Sequence, residues 1–181
     1  MYYLSGRTIM TYQKMPSMVP EKTSMLFETV CLATDFSPAS ARAADYVIRL
    51  KDAGCRKVVL LHVSNVPKKH YLITEPPGLD ADSAKLYGDS LYDRSQRERE
   101  QLMAETVYRF QEAGLEVEPV ILSGNPTDEI VRIADSREVS LIVVGAHGRT
   151  GLSRAFLGSV SAEVIRLAHQ PVLVVRGSES K

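Results

Sequence analysis

The sequence predicts an α/β fold, an open doubly wound sheet of five parallel strands with helices on both faces. Strand-like and helix-like segments alternate from residue 25 to residue 176, which is typical of repeated β–α units. Two strand-like segments, residues 57–63 and 140–144, are almost continuously apolar, as expected for strands that helices cover on both faces. With right-handed crossovers, these observations predict an open, doubly wound sheet. The strand order expected for it is 3-2-1-4-5, and with that order a ligand crevice opens between the first and fourth strands.

The first β–α unit begins with residues 27–34, which are mostly apolar and β-branched and predict the first strand. Ser37 and Pro38 follow as a helix N-cap and a first helical residue. Apolar residues at spacings of three and four continue the helix. Gly54 is a suitable left-handed end for it, and the second strand, residues 57–63, comes directly afterwards.

The second unit contains an insertion, at about residues 67–92, for which the sequence supports no firm structure. It is rich in Pro, Gly, Asp and Tyr, and segments of this length are usually lids, partner surfaces or mobile insertions. An amphipathic helix is predicted for residues 94–113, in which the charged run 97–100 is expected to be solvated. The third strand, residues 116–122, contains Pro119 and is expected at or near a sheet edge, because proline cannot donate to a neighbouring strand.

Two further units complete the sheet. Asn125 and Pro126 begin a helix, and residues 140–144 form the fourth strand. A glycine-rich turn then leads to a helix over residues 158–168 and to the last strand, residues 171–175. This strand lies at the other edge of the predicted sheet, so its apolar edge needs a cover.

Composition restricts the classes of function. The 181 residues include 22 Lys and Arg against 22 Asp and Glu, so no net positive field favours nucleic acid or an anionic membrane. No apolar run approaches the roughly 20 residues of a membrane-spanning helix. Residues 1–24 lack the apolar core of a secretory signal and are expected to be a disordered leader or tag-like extension before one domain, residues 25–181. Cys31 and Cys55 are expected to be buried free thiols in a reducing cytoplasm, and no cluster of Cys and His predicts a metal site.

The turn after the fourth strand carries the residues that point to a ligand. Gly145 and Gly148 are expected to adopt positive φ and to let the backbone approach the ligand closely. Gly158 and Ser159 begin the last helix, where unpaired N–H groups and the helix dipole attract phosphate oxygens. The alternative is that the glycines only end a strand and turn the chain. A Gly-Ser pair at a helix start, separated from Gly-x-x-Gly by nine intervening residues, favours an anion-binding turn.

This pattern closely resembles that of the universal stress protein family, whose nucleotide-binding members carry Gly-x-x-Gly-x9-Gly-(Ser/Thr) after the fourth strand. The residues 145, 148, 158 and 159 match every position of the motif. The resemblance covers residues 25–176, apart from the insertion, and includes the TDFS, LLHV and PVLVV segments. It implies an adenine nucleotide alpha hydrolase-like fold, a homodimer, and binding of ATP with Mg²⁺ or Mn²⁺ on the phosphates.

The same resemblance implies where each part of ATP lies. The end of the first strand would border the adenosine, Val63 would pack at the base, and the main chain of Gly145 would lie near the ribose. The glycine turn and the start of the last helix would line the phosphates. The residues expected to bind ATP are Ala33, Thr34, Asp35, Val63, Gly145, His147, Gly148, Arg149, Gly158, Ser159, Val160 and Ser161.

Several polar residues have a second interpretation. Asp35 could cap the following helix as well as bind the ligand, and Arg149 could pair with phosphate or stay solvated. His147 could contact phosphate, activate water, or be held by hydrogen bonds to the loop. His62, in a buried strand, is expected to be a core histidine with satisfied hydrogen bonds. Ser159 is not expected to be a nucleophile, because no Gly-x-Ser-x-Gly turn surrounds it.

The sequence favours a cytoplasmic ATP-binding regulator of a stress response, a nucleotide-dependent switch with at most slow ATP hydrolysis. It lacks the P-loop lysine, which disfavours fast hydrolysis, and the Gly-x-Gly-x-x-Gly that NAD binding requires. The switch would act on a protein partner that the sequence does not identify. The protein itself is expected to be a homodimer formed through the last strand, residues 171–175. Two alternatives stay open: a small ATPase or nucleotidyl-transferring enzyme that uses His147 or Asp35, and an interaction module that binds no nucleotide.

Overall fold

The computed structural model of the protein describes residues 3–4, 7–8, 26–64, 80–148 and 157–176. Within these ranges, five strands form the main sheet, and four helices flank it. The strands are β1 (Thr29–Ala33), β2 (Lys57–Ser64), β3 (Glu116–Ser123), β4 (Leu141–Gly145) and β5 (Val172–Val175). The helices are α1 (Pro38–Leu50), α2 (Ala81–Glu112), α3 (Pro126–Ser136) and α4 (Ser159–Leu167).

The sheet has the strand order β3-β2-β1-β4-β5, with every neighbouring pair parallel. This confirms the predicted order 3-2-1-4-5. Leu32 in the central strand β1 pairs with Leu60 on one side and Val143 on the other. Pro119 of β3 lies opposite Leu60 of β2. Strand β3 is at the edge of the sheet, as the proline predicted.

Two layers of apolar side chains cover the two faces of the sheet. On one face, Leu32 and Val143 pack with Val47 of α1 and Phe110 of α2. On the other face, side chains of β1, β2 and β4 pack with α3 and α4; they include Cys31, Leu61, Ile130, Ile142 and Val164. The four described helices are therefore divided between the two faces of the sheet.

The two cysteines are buried free thiols, as the sequence predicted. Burial raises the pKa of Cys31 to about 12. The same cause raises the pKa of Cys55 to about 11, against the smaller opposing effects of the neighbouring Arg56 charge and a hydrogen bond to the Lys57 carbonyl. Neither thiol is a reactive thiolate near neutral pH.

Capping residues begin helices α1 and α3 where the sequence predicted. The Ser37 hydroxyl accepts a hydrogen bond from the Ser40 N–H at 3.3 Å, and Pro38 is the first residue of α1. The Asn125 side chain accepts one from the Thr127 N–H at 2.9 Å before α3. These local bonds fix the direction in which both helices leave the carboxyl edge of the sheet.

Helix α2 is longer than predicted, because it begins at Ala81 and not at residue 94. The Asp80 carboxylate caps it by accepting hydrogen bonds from the N–H groups of Asp82 and Ser83 at 3.2 and 3.0 Å. The sequence of the first turns has no large aliphatic residues at helical spacing, and Leu86 is 74% exposed, so periodicity could not indicate a helix there. The rest of the predicted insertion, residues 67–79, lies outside the described residues.

The leader contains a feature that the sequence did not predict. Tyr3–Leu4 pairs with Arg7–Thr8 as a two-stranded antiparallel sheet. The other leader residues are not among those described, so their expected disorder stays a prediction. None of the helices in the described ranges is long and apolar enough to span a membrane.

Candidate functional site

A cavity of about 460 Å³ lies at the carboxyl edge of the sheet, where β1 adjoins β4. This is the point at which the strand order reverses, and open α/β sheets bind their ligands there. The carboxyl ends of β1, β2 and β4 form its floor. Residues of α1, α2, α3 and α4 form its walls.

Eleven of the twelve residues predicted to bind ATP line this cavity, and the twelfth, Arg149, lies outside the described residues. The fold therefore brings together three segments that are far apart in sequence. Their role in binding stays a prediction. The eleven are Ala33, Thr34, Asp35, Val63, Gly145, His147, Gly148, Gly158, Ser159, Val160 and Ser161.

The turn after β1 is held by hydrogen bonds of its own side chains. The Thr34 hydroxyl accepts a hydrogen bond from the Phe36 N–H and donates one to the Ser40 hydroxyl, both at 3.1 Å. Phe36 has φ 60°, a left-handed conformation that is unusual for a bulky residue and is stabilised here by these bonds. The Asp35 carboxylate accepts a hydrogen bond from the Ser37 N–H at 3.0 Å and also lines the cavity. The cap of α1 is Ser37, so Asp35 holds the turn before the helix and does not cap it. Its role in binding a ligand stays a prediction.

His62 lies at the floor of the cavity and is only 5% exposed. Its Nδ1 is 2.8 Å from the Thr34 carbonyl oxygen, and because a carbonyl only accepts, Nδ1 carries a proton. The imidazole also lies against Phe36, with ring centroids 4.7 Å apart. His62 is thus the hydrogen-bonded core histidine that the sequence predicted, and it supports the strained turn after β1.

The glycines of the turn after β4 do not have the conformation that the sequence predicted. Neither Gly145 nor Gly148 has positive φ. A Cβ on Gly145 would lie 3.0 Å from the Ser40 backbone nitrogen, so this glycine lets β4 pass close to the start of α1. A Cβ on Gly148 would lie 3.1 Å from the Asp35 Oδ2, across the cavity entrance. Close approach to the backbone at the start of α1, and not backbone conformation, is what requires glycine at position 145. At position 148 a side chain would instead occupy the space next to the Asp35 carboxylate.

Among the residues that the structure describes, no side chain caps the N–H groups that begin helix α4. Gly158 is the N-cap residue, and it makes no side-chain capping bond. Its N–H donates to the Ala146 carbonyl at 2.7 Å, and the Ser161 hydroxyl donates to the Gly158 carbonyl at 2.9 Å. These bonds orient the first turn, whose residues Ser159 and Val160 line the cavity. Free N–H groups at a helix N-terminus can bind an anion.

Sequence analysis missed the contribution of α2 to this site. Ser95 and Arg99 line the cavity, and Arg99 is 9% exposed, so the expectation that residues 97–100 are all solvated is wrong for this arginine. The spacing between Arg99 and Met103 could have indicated that Arg99 faces inward. Arg99 precedes Met103 by four residues, and Met103 is buried in the core, so both lie on the inner face of the helix.

Comparison with known proteins assigns the chain to a family. Residues 26–176 match the family model of the universal stress protein family. Universal stress protein MJ0577 of Methanocaldococcus jannaschii is 31% identical over 162 residues, which cover 87% of this chain and 99% of that protein. The chain belongs to the universal stress protein family.

Solved structures share the fold of this universal stress protein. The structure of MJ0577 superposes with a TM-score of 0.72 at 28% identity, over 86% of this chain and 99% of the other. A universal stress protein in complex with cAMP gives a TM-score of 0.57 at 24% identity, over 84% of this chain and 98% of the other. A family protein from Arabidopsis thaliana with AMP bound gives 0.53 at 22% identity, over 84% and 94% of the two chains.

The charges around the cavity of this universal stress protein are few and separated. Asp35 is the one carboxylate among the described lining residues, and Arg99 is the one Lys or Arg. Asp35 belongs to the turn after β1, and Arg99 comes from α2 on the face that α1 also covers. The start of α4, on the opposite face, adds the positive end of a helix dipole.

Proposed function

We propose that this universal stress protein binds ATP in the cavity at the carboxyl edge and acts as a nucleotide-dependent regulator in a stress response. One observation carries the proposal. The uncapped start of α4 and the turn after β1 line the same cavity at the reversal of strand order. Its volume of about 460 Å³ lies within the range of small-molecule sites.

The two sides of the cavity suit the two parts of a nucleotide. Apolar side chains at the end of β2 and the start of α3, among them Val63 and Ile130, offer a surface for an adenine ring. The N–H groups at the start of α4 offer hydrogen bonds to phosphate oxygens. The proposed ATP therefore extends from the β2 side toward the β4 side.

A divalent cation would be held mainly by the phosphates of the bound nucleotide. The described residues include no group of three or more potential metal ligands, and Asp35 is the single carboxylate along their part of the cavity wall. This suits Mg²⁺ or Mn²⁺, because Mg²⁺ commonly uses one or two carboxylates together with phosphate oxygens and water. Asp35 is the residue that we propose for this role.

The relatives solved with cAMP and AMP agree with an adenine nucleotide but do not carry the proposal. At 24% and 22% identity, those likenesses support a common fold and not a common ligand. The proposal therefore depends on the cavity of this chain.

Thermal unfolding with and without nucleotide tests the proposed binding. ATP with magnesium, at about 100 times its dissociation constant, should stabilise the nucleotide-free protein by about 2.7 kcal/mol. For a domain of this size, that raises the melting temperature by about 5 to 10 °C. If ATP, ADP and AMP all leave the melting temperature unchanged, an interaction module without nucleotide becomes the better proposal.

Slow turnover separates a regulator from an enzyme. Among the residues that the structure describes, no base is hydrogen-bonded to the Ser159 hydroxyl, and no hydrogen bond fixes the ring of His147. We therefore expect single-turnover ATP hydrolysis to be far slower than about 1 per second, the lower end of typical enzyme rates. A rate at or above that value would favour the ATPase alternative.

We also propose a cytoplasmic homodimer, formed through the edge strand β5, that acts on a protein partner. Within the described ranges, β5 pairs only with β4, and Ile165 and Leu167 on the adjacent α4 are 46% and 39% exposed. Pairing β5 with its symmetry mate would cover this apolar edge. Light scattering should give twice the 20.0 kDa mass of one chain, and the mass of a single chain would contradict the dimer.

A further inference from the structure

Arg99 is a buried cation in the wall of the cavity. It is 9% exposed, although it lies in a polar stretch of α2 whose neighbours Arg97, Glu98 and Glu100 are exposed. A long cationic side chain usually extends to water when nothing holds it inside. Here it lies at the surface of the cavity instead.

A network of neutral groups on α2 fixes the guanidinium of Arg99. Its Nε and Nη2 donate hydrogen bonds to the Gln96 Oε1 at 3.2 and 2.7 Å, and its Nη1 donates to the Ser95 hydroxyl. Gln96 is oriented in turn by a hydrogen bond from its Nε2 to the Tyr92 hydroxyl at 2.9 Å. The guanidinium is therefore held in one orientation at the cavity.

No carboxylate among the described residues pairs with Arg99. Arg109 on the same helix, in contrast, pairs with Asp45 at 2.6 Å, although both side chains are about half exposed. A buried charge without a counter-charge is costly, and buried cations in proteins are normally paired. The hydrogen bonds that Arg99 donates to Ser95 and Gln96 satisfy its N–H groups but supply no counter-charge, and the rest of the described chain supplies none either.

We propose that Arg99 binds a phosphoryl group of the nucleotide, which makes α2 a second anion-binding wall of the cavity. The inference rests on the proposed function and adds a residue that determines its specificity. Arg99 and the start of α4 lie on opposite faces of the sheet, so the anion is approached by positive charge from both faces. The planar guanidinium suits two phosphate oxygens at once.

The consequence is a site that selects nucleotides by their charge. Adenosine offers no anion to Arg99, whereas AMP and ATP do. The energy of the Arg99 contact should therefore be absent from adenosine binding and present in the binding of both phosphorylated compounds.

The variant Arg99→Gln tests this assignment, with Arg97→Gln on the exposed side of the same helix as the matched control. Calorimetric titration of each protein with ATP, AMP and adenosine gives the affinities. We expect Arg99→Gln to weaken ATP binding by about tenfold to a hundredfold, since hydrogen bonds to charged groups contribute about 1.5–3 kcal/mol. Adenosine affinity should change less than about threefold, and Arg97→Gln should match the wild type for all three ligands.

The melting temperature of the unliganded protein separates ligand binding from a structural role. Replacing a buried cation that lacks a counter-charge should leave this temperature unchanged or raise it, whereas a purely structural arginine would lower it on substitution. Arg99→Lys keeps the charge but not the planar fork, and its ATP affinity should fall between those of the wild type and Arg99→Gln. It also serves as the test protein if Arg99→Gln does not fold.

Two results would overturn the inference alone. One is ATP affinity in Arg99→Gln equal to that of the wild type, and the other is an equal loss for adenosine and ATP, which would assign Arg99 to packing or to the base. A wild-type protein that binds none of the three compounds would instead contradict the proposed function itself.

Discussion

Gly148→Val should abolish ATP binding while the unliganded protein stays folded. A Cβ at this position would lie 3.1 Å from the Asp35 Oδ2, so the isopropyl group would fill the space between the glycine turn and the turn after β1. Gly148 does not have positive φ, and among the described residues other than its chain neighbours only Asp35 has an atom within 4 Å of a Cβ there, so we expect the described fold to accept valine. We expect ATP affinity to fall by at least about 100-fold, or about 2.8 kcal/mol, in a calorimetric titration.

The matched control is Ala104→Val, which adds the same two methyl groups at an exposed position on α2. It should leave ATP affinity unchanged. Gly158 is a poorer position for this test, because a Cβ there would lie 3.3 Å from the Ala146 carbonyl oxygen and would displace the turn itself. Affinity of Gly148→Val within about threefold of the wild type would mean that the nucleotide does not pass between these two turns.

Phe110→Ala should cause the largest loss of stability of any single change on α2. The ring is fully buried and packs with Val30 and Leu32 of the central strand in one core cluster. Truncation of a buried phenylalanine leaves a cavity and costs about 3–5 kcal/mol. Denaturant unfolding should show this loss as a lower midpoint with an unchanged slope.

Tyr108→Ala is the control for that substitution, since it removes an aromatic ring from the same helix at a position that is 62% exposed. Its free energy of unfolding should stay within about 0.5 kcal/mol of the wild type. Equal effects of the two substitutions would contradict the packing of α2 against the sheet. That packing matters for function because α2 carries Arg99 to the cavity.

The sheet could be predicted from sequence because its strands are covered on both faces. Residues 57–63 and 140–144 read as continuous apolar runs, and both became central or near-central strands, β2 and β4. The starts of α1 and α3 could be predicted because their caps are local, encoded by Ser37 and Asn125. Elements whose signals lie in neighbouring residues, such as apolar runs and capping residues, can be predicted without a structure.

The start of α2 could not be predicted in the same way. The sequence of its first turns has no large aliphatic residues at helical spacing, and Leu86 there is exposed, so the pattern does not indicate a helix. Asp80 is an N-cap signal, but it lies among other aspartate and glycine residues that also favour turns.

The site was predicted in position but not in every physical detail. The motif placed Gly145 and Gly148 at the cavity, yet the reason for Gly145 is the start of α1, which the sequence places more than 100 residues earlier. Arg99 was missed because a run of four charged residues resembles a solvated surface. Both the need for glycine at position 145 and the position of Arg99 at the cavity depend on segments that are distant in sequence and meet only in the folded chain.

A crystal structure of the protein grown with ATP and magnesium tests the central claim most directly. The account predicts a nucleotide in the cavity, with its phosphates at the N–H groups that begin α4 and a phosphoryl oxygen within hydrogen-bond distance of Arg99. An empty cavity at saturating ATP, or a nucleotide bound elsewhere on the molecule, would contradict it.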